Sequence, residues 1–188
     1  MAPPFPTRSL TPAERRRVDD SVRTLPYYER RLKIVAGRGL DRRGLHAASF
    51  VPHRRIVVDP GLLARQRELR RILYHEIFHF VWTRLGNPLR RSYEDLLRRE
   101  WREGARGELG WPAEQAKAAL DPAEVRRRSR RWREYCCESF CDSAAWFCLR
   151  GRPDHREWTL RPRFCERRRR WFAASDVLPR LRLASGRV

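Results

Sequence analysis

The sequence predicts an α+β domain: a small antiparallel sheet packed on one long apolar helix, followed by a mainly helical C-terminal half. Three observations carry this expectation. Residues 32–59 hold three short β-type runs separated by turn residues; residues 63–85 carry apolar side chains at three- and four-residue steps; and the chain beyond residue 90 is patterned for helix rather than strand. With 188 residues, 41% of them hydrophobic, and seven tryptophans, the chain is long enough to bury one sizeable core, so a single domain over residues 11–183 is expected.

Residues 1–10 lack patterning and are expected to be disordered, as is the tail 184–188. Thr11-Pro12-Ala13-Glu14 reads as a capping box with proline in the first turn, so a helix should run over residues 12–24 until Pro26 stops it. Residues 32–36, 47–51 and 55–59 read as strands. Gly37 and Gly39 end the first, and Pro52, His53 and Arg54 leave room for only a tight hairpin between the other two. Beyond Pro60-Gly61, the residues Leu69, Ile72, Leu73, Ile77, Phe80 and Val81 mark a helix over residues 63–85, terminated at Gly86-Asn87-Pro88. Another helix is expected over residues 92–103, after which Gly104, Gly107 and Gly110 interrupt the chain. A second capping box, Asp121-Pro122-Ala123-Glu124, should open a helix reaching Leu149. The arginine-rich segment 155–183 carries Trp158, Phe164, Trp171 and Phe172, which should pack on the body.

The N-terminus has no basic-then-apolar pattern with a small-residue cleavage site, and no stretch is long and apolar enough to span a membrane, so a cytoplasmic protein without membrane partners is expected. Five cysteines, four of them within residues 136–148, make a poor disulfide framework and read as reduced thiols packed as small hydrophobes. The net charge of +20 suits acidic partners or nucleic acid. Runs such as 126–133 and 167–170 are, however, more often solvated faces, and only Lys33 and Lys117 are lysines among the 43 basic residues.

The chemistry concentrates in the 63–85 helix. His75-Glu76-Ile77-Phe78-His79 puts two imidazoles four residues apart, on nearly the same helical face. Zn2+ is the natural guest, since a catalytic zinc takes three protein ligands and leaves a position for water. Glu76 would stand beside that water as general base. Trp82 and Leu85 occupy the positions where a longer histidine motif would continue, so the third ligand must be a carboxylate from elsewhere. Within residues 133–147, Glu138 and Asp142 stand four apart in an apolar run, where charged groups need partners; an ion for Glu138 and a ligating imidazole N–H for Asp142 would satisfy both. Glu134 is a rival ligand one turn earlier, and Glu94, Asp95 and Glu100 are further carboxylates, expected to face solvent. His155, Tyr135, Tyr74 and His53 are candidate donors to a reaction oxyanion.

His75-Glu76-x-x-His79 followed by Glu138-x-x-x-Asp142 resembles the gluzincin branch of zinc metallopeptidases. The resemblance implies that His75, His79 and Glu138 bind zinc and that Asp142 bonds a ligating histidine. Cys137 stands where that family usually has asparagine, and the separation from His79 to Glu138 exceeds the common spacing. Residues 138–145 also resemble the second helix of ImmA/IrrE-type metallopeptidases. The expected function is hydrolysis of a peptide or protein substrate. The alternatives are an inactive metal-fold module whose arginine-rich surface binds nucleic acid or an acidic protein, and a purely structural metal.

Overall fold

The computed structural model describes residues 5–23, 25, 32–40, 44–150 and 157–175. Its elements are β1 (Thr7–Arg8), α1 (Pro12–Val22), β2 (Lys33–Gly37), β3 (Ala47–Phe50), β4 (Arg55–Val58), α2 (Gln66–Arg84), α3 (Asn87–Arg102), α4 (Trp111–Ala118), α5 (Pro122–Arg127), α6 (Arg130–Cys148) and α7 (Pro162–Ala174). The fold class is the expected α+β. The sheet is mixed rather than antiparallel: its order is β1-β2-β4-β3, with β2 and β4 parallel and the two outer pairs antiparallel. The parallel pair arises because β4, rather than β3, docks beside β2. β3 folds back on β4 through a turn in which Arg54 takes a left-handed φ of 48°, and β4 then runs beside β2 in the same direction. The expectation that residues 1–10 are disordered does not hold for those described: Phe5 is buried and Thr7–Arg8 pairs with Ala36 and Gly37.

Alternation along the strands gives the sheet two apolar faces. Ile34, Ala36, Ile56 and Val58 point into the main core, against α1 and α2, while Val35 and Val57 join Phe5 and Leu40 in a small cluster on the other face. The register Ile34↔Ile56 and Val35↔Val57 keeps each set on its own side. A one-residue slip would exchange the two faces. α1 begins as its capping box dictates, with Thr11 Oγ1 accepting from the Glu14 N–H and the Glu14 carboxylate accepting from the Thr11 N–H.

In the helical half, α2 and α6 lie against each other and bury Leu73, Ile77, Phe78, Phe140, Cys141 and Ala144 between them and their neighbours. Three elements differ from the sequence expectation. α3 starts at Asn87, because Gly86 serves as its N-cap and Pro88 sits in its first turn; the proline that ends α2 opens the next helix. α4 was not expected. The single helix expected after Asp121 is two: α5 ends where Arg128 takes a φ of 52°, and the Ser129 hydroxyl, accepting from the Trp132 N–H at 3.1 Å, caps α6. Phe164 and Phe172 of α7 are buried, as expected for the arginine-rich segment, while residues 176–188 lie outside the described chain. No helix among the described residues is long and apolar enough to cross a membrane.

A buried polar network locks the helical half. Arg168 on α7 has no solvent exposure and donates to Glu100 on α3 (2.8 Å), to Glu108 in the α3–α4 loop (2.6 Å) and to Ser143 on α6 (3.1 Å). Glu108 accepts further bonds from Tyr135 (2.6 Å) and Lys117 (3.0 Å), so two carboxylates meet two cations. Burial alone would raise the Glu108 carboxyl, but Arg168 and Lys117 hold it down to about 2. The loop is also zipped to residues 159 and 160, whose N–H groups donate to the Glu108 carbonyl at 2.8 and 3.0 Å. Gly107, at φ 77°, leaves no room for a Cβ against the Thr159 backbone. The result is a rigid platform from which α4 projects onto α6.

Candidate metal centre

His75 and His79 lie one turn apart on α2, and α6 presents Glu138 and Asp142 to them. His75 Nε2 is 3.1 Å from His79 Nε2 and 3.3 Å from Glu138 Oε2, and His79 Nε2 is 3.8 Å from the same oxygen. Three donors about 2.0–2.1 Å from one tetrahedral ion would be separated by roughly 3.4 Å. The set therefore fits a zinc-sized cation in both spacing and chemistry: two imidazoles and a carboxylate. His75 and Glu76 are buried, while His79 and Glu138 are half-buried and face a cleft of about 780 Å³.

The ring of His75 is oriented by Asp142, whose Oδ1 lies 2.7 Å from Nδ1. With Nδ1 committed to that carboxylate, Nε2 is the ring nitrogen turned toward Glu138 and His79. Asp142 is held in turn by the Ala113 N–H in the first turn of α4, at 3.2 Å. There the unpaired backbone donors and the positive end of the helix favour an anion. A Cβ at Gly110 would fall inside the Asp142 carboxylate, so only glycine lets the chain pass this close before α4 begins. If the cluster holds zinc, Gly110→Ala is expected to displace Asp142 and weaken that binding about tenfold or more, as read by chelator competition beside a thermal melt. Wild-type affinity in the variant would contradict this account of the contact.

His79 is oriented differently. Its Nδ1 lies 3.4 Å from the Cys137 sulfur, in the position where a carboxylate or carbonyl commonly receives a ligating histidine. A hydrogen bond from Cys141 and, against burial, one from His79 hold the Cys137 thiol down to about 6. Cys136 and Cys141 are buried, and burial pushes both thiols well up, in keeping with core packing. If the cluster holds zinc, Cys137→Ala is expected to weaken that binding about 10–100-fold, with Cys137→Ser keeping an acceptor and most of the affinity; equal affinities in all three proteins would contradict the role. His79, Cys137 and Cys141 also form a second grouping of metal-type donors, sharing His79 with the first.

The remaining sequence candidates fall elsewhere. Glu134 is exposed and pairs with Arg130 at 2.7 Å; it lines the cleft but stands apart from the three donors. Glu94 and Glu100 are buried rather than solvent-facing, because Arg128 and Arg168 neutralise them; Asp95 is exposed. Tyr135 is buried with its hydroxyl on Glu108, and burial first, then that carboxylate, pushes its pKa well up, so it is no oxyanion donor at the cleft. Tyr74 is buried, His53 is exposed beside the β-hairpin turn, and His155 lies outside the described residues. The contributions of Gly110, Ala113 and the Cys137 thiol went unread in the sequence. Gly110-Trp111-Pro112 carried a usable signal, a proline two residues into a new helix.

Around the donors, Ala47, Ala48 and Ser49 of β3 form one wall of the cleft and Trp111, Pro112 and Gln115 of α4 another. Leu45 and Trp111 are the exposed large hydrophobic residues among those described, and both line this cleft. The Ser49 hydroxyl donates to the Glu76 carbonyl at 2.9 Å, tying the sheet edge to the helix. No family model matches the chain, and no curated protein or solved structure matches it.

Proposed function

We propose that the protein is a zinc-dependent peptidase in which His75, His79 and Glu138 hold the metal and Glu76 is the general base. The observation that carries this reading is the meeting of three ligand-type donors, 3.1–3.8 Å apart, with a buried glutamate in one cleft. When bound, zinc would supply a Lewis acid for the scissile carbonyl and lower the pKa of a water toward about 7.

The chain's own groups perform the rest. Glu76 accepts the proton of the attacking water and delivers it to the departing amine. Asp142 fixes the tautomer of His75, and Cys137 does the same for His79. β3 is an edge strand whose outer side has no strand partner among the described residues, so an extended peptide can add to it and run past the metal-binding side chains. Five free cysteines suit a reducing compartment, and we place the activity in the cytoplasm.

Metal affinity should depend on pH with a definite sign. Burial alone would lower His75, yet Asp142 and Glu138 raise it well above the usual imidazole range; His79 is likewise raised, against burial, by Cys137 and Glu76. Both rings then hold protons that a cation must displace. Zinc affinity is expected to climb as pH rises through about 6.5 and to go on climbing above it. A plateau reached by about pH 6.5, read by competition titration at several pH values, would contradict the raised imidazoles. For the reaction, zinc-loaded protein is incubated with a mixture of unstructured peptides and the products are read by mass spectrometry. Cleavage that disappears in Glu76→Gln supports the proposal, and no cleavage with zinc demonstrably bound overturns it.

A further inference from the structure

The arginines that look densest in the sequence are mostly engaged within the chain. Arg128 pairs with Glu94, Arg130 with Glu134, Arg131 with Glu124, Arg167 with Glu103, Arg168 with Glu100 and Glu108, and Arg169 and Arg170 with Glu166. A different set is left over. Arg98, Arg99 and Arg102 on the last turns of α3 face Arg126 of α5 across a groove of about 660 Å³. None of these four forms an ion pair among the described residues, and Arg102 reaches only the Arg98 carbonyl, at 3.4 Å. Asp95 is the sole carboxylate lining the groove, and half-buried Trp101 lies among the guanidiniums.

We propose that this groove binds the backbone of a single-stranded nucleic acid. Four like charges from two helices repel one another, and a polyanion relieves that cost. Guanidinium forks match phosphate oxygens in pairs. A chain of phosphates gains more than an acidic peptide does, because its closely spaced charge condenses counterions that binding releases. Trp101 packs on the core with one part and lines the groove with the rest, an aromatic surface of the kind on which an unpaired base stacks, whereas the bases of a duplex are already stacked on each other. The net charge of +20 draws such a ligand from a distance. The proposal stands independently of the metal centre, since the groove shares no lining residue with the cleft.

The test is fluorescence anisotropy of a labelled oligodeoxythymidylate of about 20 nucleotides with the full chain over a range of salt concentrations. Wild type should bind, with log affinity falling against log salt at a slope of about −2 to −3, as three to four phosphate contacts require. The triple variant Arg98→Glu/Arg102→Glu/Arg126→Glu should lose at least about tenfold. A charge-matched control, Arg16→Glu/Arg65→Glu/Arg67→Glu, alters exposed arginines on α1 and around the start of α2 and should lose less than about threefold. Circular dichroism checks that both variants are folded, and Arg98→Gln/Arg126→Gln serves as a milder pair. No binding by wild type, equal loss in both triple variants, or equally tight binding of polyglutamate of similar length would each overturn the proposal.

Discussion

Replacing Glu76 by glutamine is expected to lower peptide hydrolysis by the zinc-loaded protein about 10²–10⁴-fold, the usual contribution of a positioned general base. Zinc content should be unchanged. The substitution keeps the shape of a buried side chain and removes only its capacity to accept a proton. Glu76 lines the cleft, and its backbone carbonyl is held by the Ser49 hydroxyl, so the amide should occupy the same place. The variant also separates two kinds of metal site. In a purely structural centre Glu76 has no part, and Glu76→Gln would alter neither metal content nor any activity. The measurement is kcat beside zinc stoichiometry on the same preparations.

Arg168→Met is expected to destabilise the fold by about 3–5 kcal/mol, the scale for stripping one partner from a buried ion-pair network. Methionine is similar in bulk, so the loss is electrostatic. Glu100 and Glu108 would remain buried with Lys117 as their only nearby cation in the network. In a chain of this size such a loss lowers the melting temperature by roughly 6–20 °C. The pH dependence has a definite sign. In wild type, Glu108 is depressed to about 2, so its contribution is complete above the unfolded carboxyl range and is lost as pH falls toward 2. In the variant, protonation removes the unpaired charge, and the deficit relative to wild type should shrink toward acid pH. A variant within about 1 kcal/mol of wild type in a denaturant titration would contradict this role for the network.

Local signals were the legible part of the fold. The Thr11–Glu14 box, the short β-type runs at 32–36 and 55–59, and the apolar face of α2 each act within a few residues, and each element formed within three residues of the expected bounds. The misjudged features depend on contacts between distant segments. The parallel pairing of β2 with β4 follows from how the hairpin docks, and Thr7–Arg8 becomes a strand only because the β2 edge is open to it. The break at Arg128 is a left-handed residue that composition does not announce. The site divides the same way. Residues 75, 76 and 79 share one helix and could be read together, and Glu138 and Asp142 stood out as charges in an apolar run. That Gly110 must be small and that Cys137 meets His79 are facts of packing between residues 32 and 58 apart in sequence, respectively.

The most direct test of the account is the metal content of protein purified without a metal-affinity tag, measured by elemental analysis for wild type, His75→Ala, Glu138→Ala and Glu134→Ala. Near-stoichiometric zinc is expected in wild type and Glu134→Ala, with loss in the other two. A folded wild type that holds no zinc even when zinc is supplied, or a Glu138→Ala variant that retains it, would contradict the assignment of His75, His79 and Glu138 as the metal site.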